Sequence, residues 1–582
     1  MVNAFLSIAF YRACSPAGLG STAAALVSTV AGLRCISASG GSRRGLACRG
    51  PAVGRPGRPR PYTGRALAGV ALAAAAMLAG CGTLPPRMER EPVAALAPAP
   101  EAPLARIVAA SQPSPELTGF RLMPLGVYSL DARIELADRA SRSLDLQYYH
   151  IHNDETGRLL LRHLRDASRR GVRVRLLVDD LYTSGADPLF RSFAAFPGVE
   201  VRLFNPFCCG REGLASKFAA SLFDLRRVNR RMHNKLFIAD GVVAVAGGRN
   251  IADEYFMRSA SGNFVDMDAL MVGAVVPRLA AIFDAYWNSP EVYPIEAIVA
   301  SAAEPAALRR QFDVLVDEGD QMMKLTLPPI DVLGYGGIRD DLDDGRLGLI
   351  WGTAVAFADP PGKASEPSDD KARAMSVQMN VMDLVAQARR DVYITSPYLI
   401  PGTMGVATFA ELGRRGVKVT ILTNSLAATD EPLVHTGYAR HREAMLAAGV
   451  DLYELSPVRI QSNRRLGFAG SSLGRLHAKT AVIDRETVFI GSMNLDPRSA
   501  TKNTELGVIA TSPQLAREVI RVIKLSKLQS AYRVRFGPDG RSLEWLTMDD
   551  DAEVILTQEP DSTLYLRLQN LLLAPFVPEQ QL

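Results

Sequence analysis

At 582 residues, 48% hydrophobic and 22% charged, the chain has the length for two globular domains and the composition of neither a fibrous nor a low-complexity protein. Its formal charge is +5, yet nine arginines and no acid fall within residues 1–81, so the remainder holds 57 basic against 61 acidic residues. That remainder lacks the overall basic footprint of a protein that grips nucleic acid non-specifically, and no nucleic-acid partner is expected.

Residues 1–64, rich in Ala, Gly, Arg and Pro, form an N-terminal extension of uncertain status. A signal peptide should begin near its own basic region, so this reading expects a translation start further along, at a non-Met codon such as that of Val53. Residues 65–81, RALAGVALAAAAMLAGC, place an arginine before an apolar run of about 15 residues, short for a bilayer span and right for a signal core. The run closes on Leu78-Ala79-Gly80-Cys81 and resembles a bacterial lipoprotein signal. The resemblance implies lipidation at Cys81 and a membrane-anchored protein of the bacterial cell envelope, with its folded part outside the cytoplasm. Gly82 in place of Asp goes with outer-membrane sorting, although inner against outer membrane stays open. Residues 82–115, rich in Pro and Ala, read as a linker.

An internal repeat organises the rest. RRGVRVRLLVDD at 169–180 matches RRGVKVTILTNS at 414–425, and LDLQYYHI at 144–151 corresponds to DVYITSPYLI at 391–400. Strand, helix, strand at this spacing is a parallel crossover, so the fold class is α/β. The expected organisation is a first domain at 116–300, a connecting region at 301–375, a second domain at 376–535 and a C-terminal tail at 536–582. Within the connector, the acidic turn around Asp340 and Asp341 and the stretch DPPGKASEPSDDKA read as solvated surface. The tail segment LYLRLQNLLLAPF reads as a packing helix, with a membrane-surface helix as the alternative.

Each half also carries His-x-Lys-x4-Asp-x6-Gly-x2-Asn: His233, Lys235, Asp240, Gly247 and Asn250, then His477, Lys479, Asp484, Gly491 and Asn494. With only seven histidines in the chain, a chance match at one of them is roughly a one in 10^5 event. LFIADGVVAVAGG and TAVIDRETVFIGS read as β-hairpins turning at Asp240-Gly241 and Asp484-Arg485. His and Lys, two apart, then share one strand face, with Gly and Asn beyond the partner strand. Two such sets supply one nucleophile and one acid, which is what a two-step displacement at a phosphodiester requires. No Cys/His or carboxylate cluster at metal-ligand spacing competes with this, and neither metal nor cofactor is expected. Cys208 and Cys209 are assigned no function.

The doubled motif is identified as that of the phospholipase D superfamily, the resemblance covering most of residues 116–582. RVNRRMHNKLFIADG, GGRNIADEYF and GSMNLDPRSATKNTELG resemble the bacterial cardiolipin synthase C type. The resemblance implies two similar α/β/α sandwich domains about a pseudo-twofold axis in one chain, expected to be a monomer, with a shared active site between them. It implies that His233 forms a phosphohistidine while His477 serves as acid and then base, and that Lys235, Lys479, Asn250 and Asn494 hold the phosphate oxygens. Gly247, Gly491 and Ser492 are expected at the same substrate site, and Gly248 departs from the family's Ser. Asp240 and Asp484 complete the motif, with a turn-forming role as the alternative. A downstream acid in each half is expected to orient each histidine. Aligning Pro277 with Pro513 selects Asp268 and Glu505, with Asp266 as competitor.

The implied activity is phosphatidyl transfer between phospholipid substrates, yielding cardiolipin from phosphatidylglycerol and a second phospholipid. A phospholipase D-type hydrolase is the alternative, and a nuclease or an inactive lipid-anchored scaffold stand behind it.

Overall fold

The computed structural model describes residues 83–87, 89–317, 326–365, 376–461, 472–549, 552–579 and 582. The signal-like segment with Cys81, and Arg464 and Arg465 before the second motif, lie outside the described residues. Thr83–Leu582 is one unit.

The first half contributes β1 (Thr118–Met123), β2 (Ser143–Tyr148), β3 (Arg173–Asp179), β4 (Val199–Phe204), β5 (Leu236–Ala239), β6 (Val243–Gly247), β7 (Gly262–Val265), β8 (Asp268–Gly273) and β9 (Val292–Pro294). Pairing runs β9-β4-β3-β2-β5-β6-β8-β1, with β2, β3 and β4 parallel and the remainder antiparallel. The parallel strands are joined by the helices Glu155–Arg169 and Asp187–Phe193. These are the crossovers that the apolar periodicity predicts.

The second half repeats the plan with β10 (Ile350–Ala358), β11 (Asp391–Thr395), β12 (Lys418–Asn424), β13 (Asp451–Leu455), β14 (Leu473–Leu476), β15 (Thr480–Ile483), β16 (Thr487–Gly491), β17 (Leu506–Thr511) and β18 (Ala531–Phe536). Its order is β10-β17-β16-β15-β11-β12-β13-β18. β10 lies along β1 at one end and along β17 at the other, so one strand from the connector closes both sheets.

The two sheets share a core. Phe120, Ala246 and Met271 from the first face Val488, Ile490 and Val508 from the second, and the helices Val276–Trp287 and Pro513–Ser530 enter the same apolar cluster. Separate clusters under the crossover helices complete each half. This is the pseudo-symmetric pair of sandwiches that the family resemblance implies, and burying one face of each sheet against the other fixes where the motif strands meet.

Two boundaries and one surface reading differ from the sequence reading. Residues 82–115 are no simple linker: Pro103–Ser111 is a helix with Leu104 and Val108 buried, and the Val93 and Ala95 amides donate to Asn288 and Asp284. Residues 536–582 continue the second domain: β19 (Leu543–Asp549) and β20 (Ala552–Leu556) extend its sheet, and the indole of Trp545 donates to Glu454 at 2.8 Å. In the connector, Asp341 pairs with Arg121 at 2.7 Å, and Asp359 and Lys363 of DPPGK are buried in place of solvated. Alanine-rich and loop-like sequence carries no periodic signal, so docking of this kind is invisible before the tertiary contacts exist. The helix Leu564–Leu573 packs on the helix Pro432–Ala447, leaving Leu564, Leu568, Leu571 and Leu572 exposed. Among the described residues no helix is long and apolar enough to cross a membrane.

Candidate active site

The motif histidines precede β5 and β15, the central strands of the two sheets, and each is held by the opposite half. The His233 amide donates to the Thr504 carbonyl at 2.9 Å, and the His477 amide to the Val265 carbonyl at 2.7 Å. The next residue after each acceptor is an acid aimed at the same imidazole. Nδ1 of His233 lies 2.9 Å from Oε2 of Glu505, and Nδ1 of His477 lies 2.7 Å from Oδ2 of Asp266. The orienting acids are therefore exchanged across the pseudo-twofold. In each ring Nε2 is the nitrogen that the carboxylate leaves unbound.

Asp266, and not Asp268, is the orienting acid of the first half. Asp268 lies on the first residue of β8 and accepts from Ser129 Oγ at 2.6 Å and Arg133 at 2.9 Å. The helix alignment misplaced the acid because the turn from β8 into its helix is longer than the turn from β17 into Pro513–Ser530.

His233, His477, Lys235 and Lys479 are all buried. The Lys235 ammonium donates to the His233 carbonyl at 2.8 Å, and Lys479 to that of His477 at 2.5 Å. Each lysine thus folds back beneath its own histidine. Burial and the neighbouring cation Lys479 push Lys235 well down, and burial lowers Lys479 to about 8 against the pull of Asp266 and Glu505. Two buried lysines of which one lowers the proton affinity of the other leave a demand for an anion beside them.

The dyads differ electrostatically. Burial pushes Glu505 up to about 7, against the pull of Lys235 and of hydrogen bonds from Ser492 and Ser499. Asp266 is buried too, but His477 and Lys479 overcome that cost and hold it below the usual carboxylate range. Burial and Lys479 lower His477 to about 4, with Asp266 opposing, while burial with Lys235 and Lys479 takes His233 well below its ordinary value. His477 is thus supported by an ionised partner, and His233 faces one that is partly neutral near pH 7.

In the comparisons with known proteins, the family described as "Cardiolipin synthase, PLD-like domain" matches residues 134–287 and 381–525, one match on each half. Cardiolipin synthase C of Escherichia coli (strain K12) is 38% identical over 457 residues, covering 76% of this chain and 92% of that protein. The chain belongs to the phospholipase D-like cardiolipin synthase family. A cardiolipin synthase of Staphylococcus aureus (strain Mu50 / ATCC 700699) is 26% identical, covering 68% of this chain and 64% of the relative. Among solved structures, phosphatidylserine synthase of Haemophilus influenzae Rd KW20 aligns at 14% identity with a TM-score of 0.48, covering 71% of this chain and 86% of that one.

The remaining motif positions divide between the site and its scaffold. Asp240 and Asp484 lie at the far ends of β5 and β15 and touch neither histidine. With φ of 50° and 55° they occupy left-handed hairpin positions. The Asp240 carboxylate accepts from the amides of Ser141, Arg142 and Ser143, and Asp484 from those of Arg389, Arg390 and Asp391. They cap the starts of β2 and β11, the turn-forming alternative.

Gly247 and Gly491 stand where no side chain fits. A Cβ on Gly247 would lie 2.3 Å from the Met267 carbonyl, and one on Gly491 would lie 2.4 Å from that of Leu506. Ser492 is already engaged, donating to Glu505 at 2.5 Å. Its counterpart Gly248 has no room for a side chain, because a Cβ there would meet Asp266 at 2.1 Å. The departure from the family's Ser is thus coupled to the shorter acid opposite it.

Asn250 and Asn494 fit the phosphate-holding expectation best. The Oδ1 atoms of both are buried without a hydrogen-bond partner, and Nδ2 of Asn250 contacts the Tyr255 hydroxyl at 3.0 Å. A half-turn of either amide presents NH2 in that direction, and Tyr255, able to donate or accept, tolerates both orientations of Asn250.

Sequence reasoning missed the aromatic walls. Tyr149 stands edge-on to His233 at 5.0 Å between ring centres, while Tyr255 and Phe264 lie 5.0 and 4.9 Å from His477. GGRNIADEYF contained Tyr255, but nothing in its spacing marked the tyrosine as facing the other half's histidine. His435, on the helix Pro432–Ala447, contacts Arg442 at 3.0 Å in a buried network with Glu454 and Glu559. Arg231 and Arg227 before the first motif are bound to Asp179 and Asp224.

Proposed function

We propose that the protein is a phosphatidyltransferase working through a phosphohistidine at His233, and that its reaction is cardiolipin formation from phosphatidylglycerol and a second phospholipid. The observation that carries the reading is the pair of crossed dyads, alike in geometry and unlike in the ionisation of their acids, in a family whose relative in E. coli is named cardiolipin synthase C.

Neutral His233 attacks phosphorus through Nε2, a P–N bond forms, and the P–O bond to the donor headgroup breaks. His477, backed by ionised Asp266, gives its Nε2 proton to the departing alkoxide. The phosphodiester's negative charge, arriving between Lys235 and Lys479, raises the proton affinity of His477 and neutralises the two ammoniums. The acceptor alcohol then loses its proton to His477 and attacks phosphorus, breaking the P–N bond and freeing His233. Asn250 and Asn494 turn their amide donors to the phosphate oxygens.

Transfer outcompetes hydrolysis when a lipid hydroxyl is held beside His477, because an oriented acceptor has an effective concentration that loose water lacks. The lipoprotein-like segment ending at Cys81 supports anchoring at a membrane of the cell envelope, where acceptor lipids are concentrated.

The test is incubation of the full chain with defined phospholipids and mass spectrometry of the products. Cardiolipin and a free headgroup alcohol from phosphatidylglycerol with a second phospholipid are expected. Phosphatidic acid as the dominant product at every lipid composition makes the protein a phospholipase D and overturns the transfer reading. Intact-mass analysis of protein from a bacterial envelope is expected to find an acylated N-terminus at Cys81; a mature chain retaining earlier residues overturns the anchoring.

A further inference from the structure

The connector reaches the nucleophile. Lys363 and Asp359 are only 5% and 1% exposed, and they form an ion pair at 2.7 Å. The same ammonium donates to the Ser499 carbonyl at 2.8 Å, and Ser499 Oγ donates to Oε1 of Glu505 at 3.0 Å. Asp359 Oδ2 in turn accepts the Glu505 amide at 3.0 Å, while its Oδ1 accepts that of Val377 at 3.0 Å. Glu505 is thus tied to one lysine twice, through its carboxylate by way of Ser499 and through its backbone by way of Asp359. Arg230, three residues before His233, donates to the Lys363 carbonyl at 2.8 Å and fixes this loop to the first motif.

The other dyad is supported differently. Apart from His477, Asp266 takes the Met267 amide at 2.7 Å, and its carbonyl accepts from Arg249 at 2.6 Å, both on its own half. A buried lysine–aspartate pair adds little stability over apolar side chains of the same volume, so its place beside one dyad calls for another explanation.

We propose that Lys363 is a positioning residue for the nucleophilic step, holding Glu505 aligned on His233 through Ser499 and Asp359 and favouring its ionised form. The inference rests on the proposed function for its substrate and on the geometry for everything else. The charged or titratable groups acting on Glu505 are His233 and Lys235 from the first motif, Lys479 from the second, Asp496 at the cap of the helix Pro497–Thr501, Tyr286, and Lys363 with Asp359 from the connector. Lys363 favours ionised Glu505, and Asp359 and Asp496 oppose it.

The experiment uses the full chain and the pre-steady-state burst of p-nitrophenol from phosphatidyl-p-nitrophenol, a lipid whose leaving group needs no proton, so that the acid limb of the burst-rate profile reports the His233–Glu505 pair before the step in which His477 acts as base. In the unaltered protein that limb is expected near pH 7. Lys363→Met removes the cation and is expected to move the limb to higher pH by roughly one unit, and Lys363→Arg to restore it. The double variant Lys363→Met/Asp359→Asn leaves no lone buried charge and is expected to shift in the same direction by less; it carries the test if the single variant does not fold. An acid limb unmoved in the variant that folds, with the rate lowered evenly or unchanged, overturns the proposal, as does a Lys363→Arg profile that stays shifted. Release of p-nitrophenol without cardiolipin formation from natural lipids rejects the transferase reading and leaves this test intact.

Discussion

Asp266 of the first half and His477 of the second meet at 2.7 Å across the pseudo-twofold, and the same exchange in the opposite direction brings Glu505 to His233. Neither half is a complete catalytic unit: each histidine depends on a carboxylate that the other half supplies, and on a backbone carbonyl one residue before it.

Replacing the two histidines should have different effects. With phosphatidyl-p-nitrophenol, which leaves without a proton, His477→Ala is expected to accumulate labelled phosphatidyl on the protein, whereas His233→Ala forms no adduct. On natural lipids each loss is expected to lower kcat/KM by about 10^2 to 10^4. Intact-mass spectrometry and steady-state rates check both, and near-normal turnover in either variant removes the mechanism.

The two first-half aspartates separate function from scaffold. Asp266→Asn should keep the fold and reduce turnover of natural lipids by about tenfold or more, with a smaller loss on the p-nitrophenyl lipid, because His477 loses the charge that supports its proton. Asp268→Asn leaves Arg133 and Arg249 short of a buried counter-ion, at a cost of about 3–5 kcal/mol in stability. Thermal melts beside rates on the folded fraction distinguish them; a stability loss in the first variant and a rate loss alone in the second reverses the assignment.

The burst rate of p-nitrophenol release from the p-nitrophenyl lipid is expected to fall as pH drops through about 7, where Glu505 takes up a proton. The sign follows from the raised value: below it the carboxyl is neutral and no longer balances the positive charge that grows on His233 during attack. Glu505→Gln should lower the rate and remove this limb. A wild-type profile flat from pH 8 to 5 contradicts it.

Asp240→Ala should act through stability alone. The carboxylate satisfies three backbone amides at the start of β2, so its loss is expected to cost about 1–3 kcal/mol. Rates per folded molecule should stay within about twofold of wild type, since nothing in the cleft touches it. Denaturant titration with activity on the same samples decides, and a rate loss without a stability loss restores the motif aspartate to catalysis.

Gly248→Ser, which makes the first motif match the second, is expected to inactivate. The added Cβ falls 2.1 Å from Asp266 Oδ1, so the acid must leave His477. The companion change Asp266→Glu, which copies the second half's pairing of Ser492 with Glu505, is expected to recover part of the rate. Full activity of the single variant rejects this account.

The repeat, the α/β class and both His-Lys pairs were legible in the chain, because period-two apolar runs and fixed motif spacing are local properties that survive without any tertiary information. Glu505 was selected by aligning the helix starts Pro277 and Pro513, and it immediately precedes the strand Leu506–Thr511. The partnerships were not legible. Asp266 and Asp268 are two residues apart, on one face of an extended segment by pattern, and a longer strand-to-helix turn in one half defeated the alignment that chose between them. Sequence spacing likewise cannot say that an acid serves the histidine 211 residues away in place of the one in its own repeat. That choice is made by the apolar faces of two sheets, which bury each other and bring β7 alongside β14 and Met232 alongside Thr504. The burial of Asp359 and Lys363 in a Pro-Gly loop, and the turn-capping of Asp240 and Asp484, were decided at the same level, because they depend on which backbone amides and which buried carboxylates the finished fold leaves within reach.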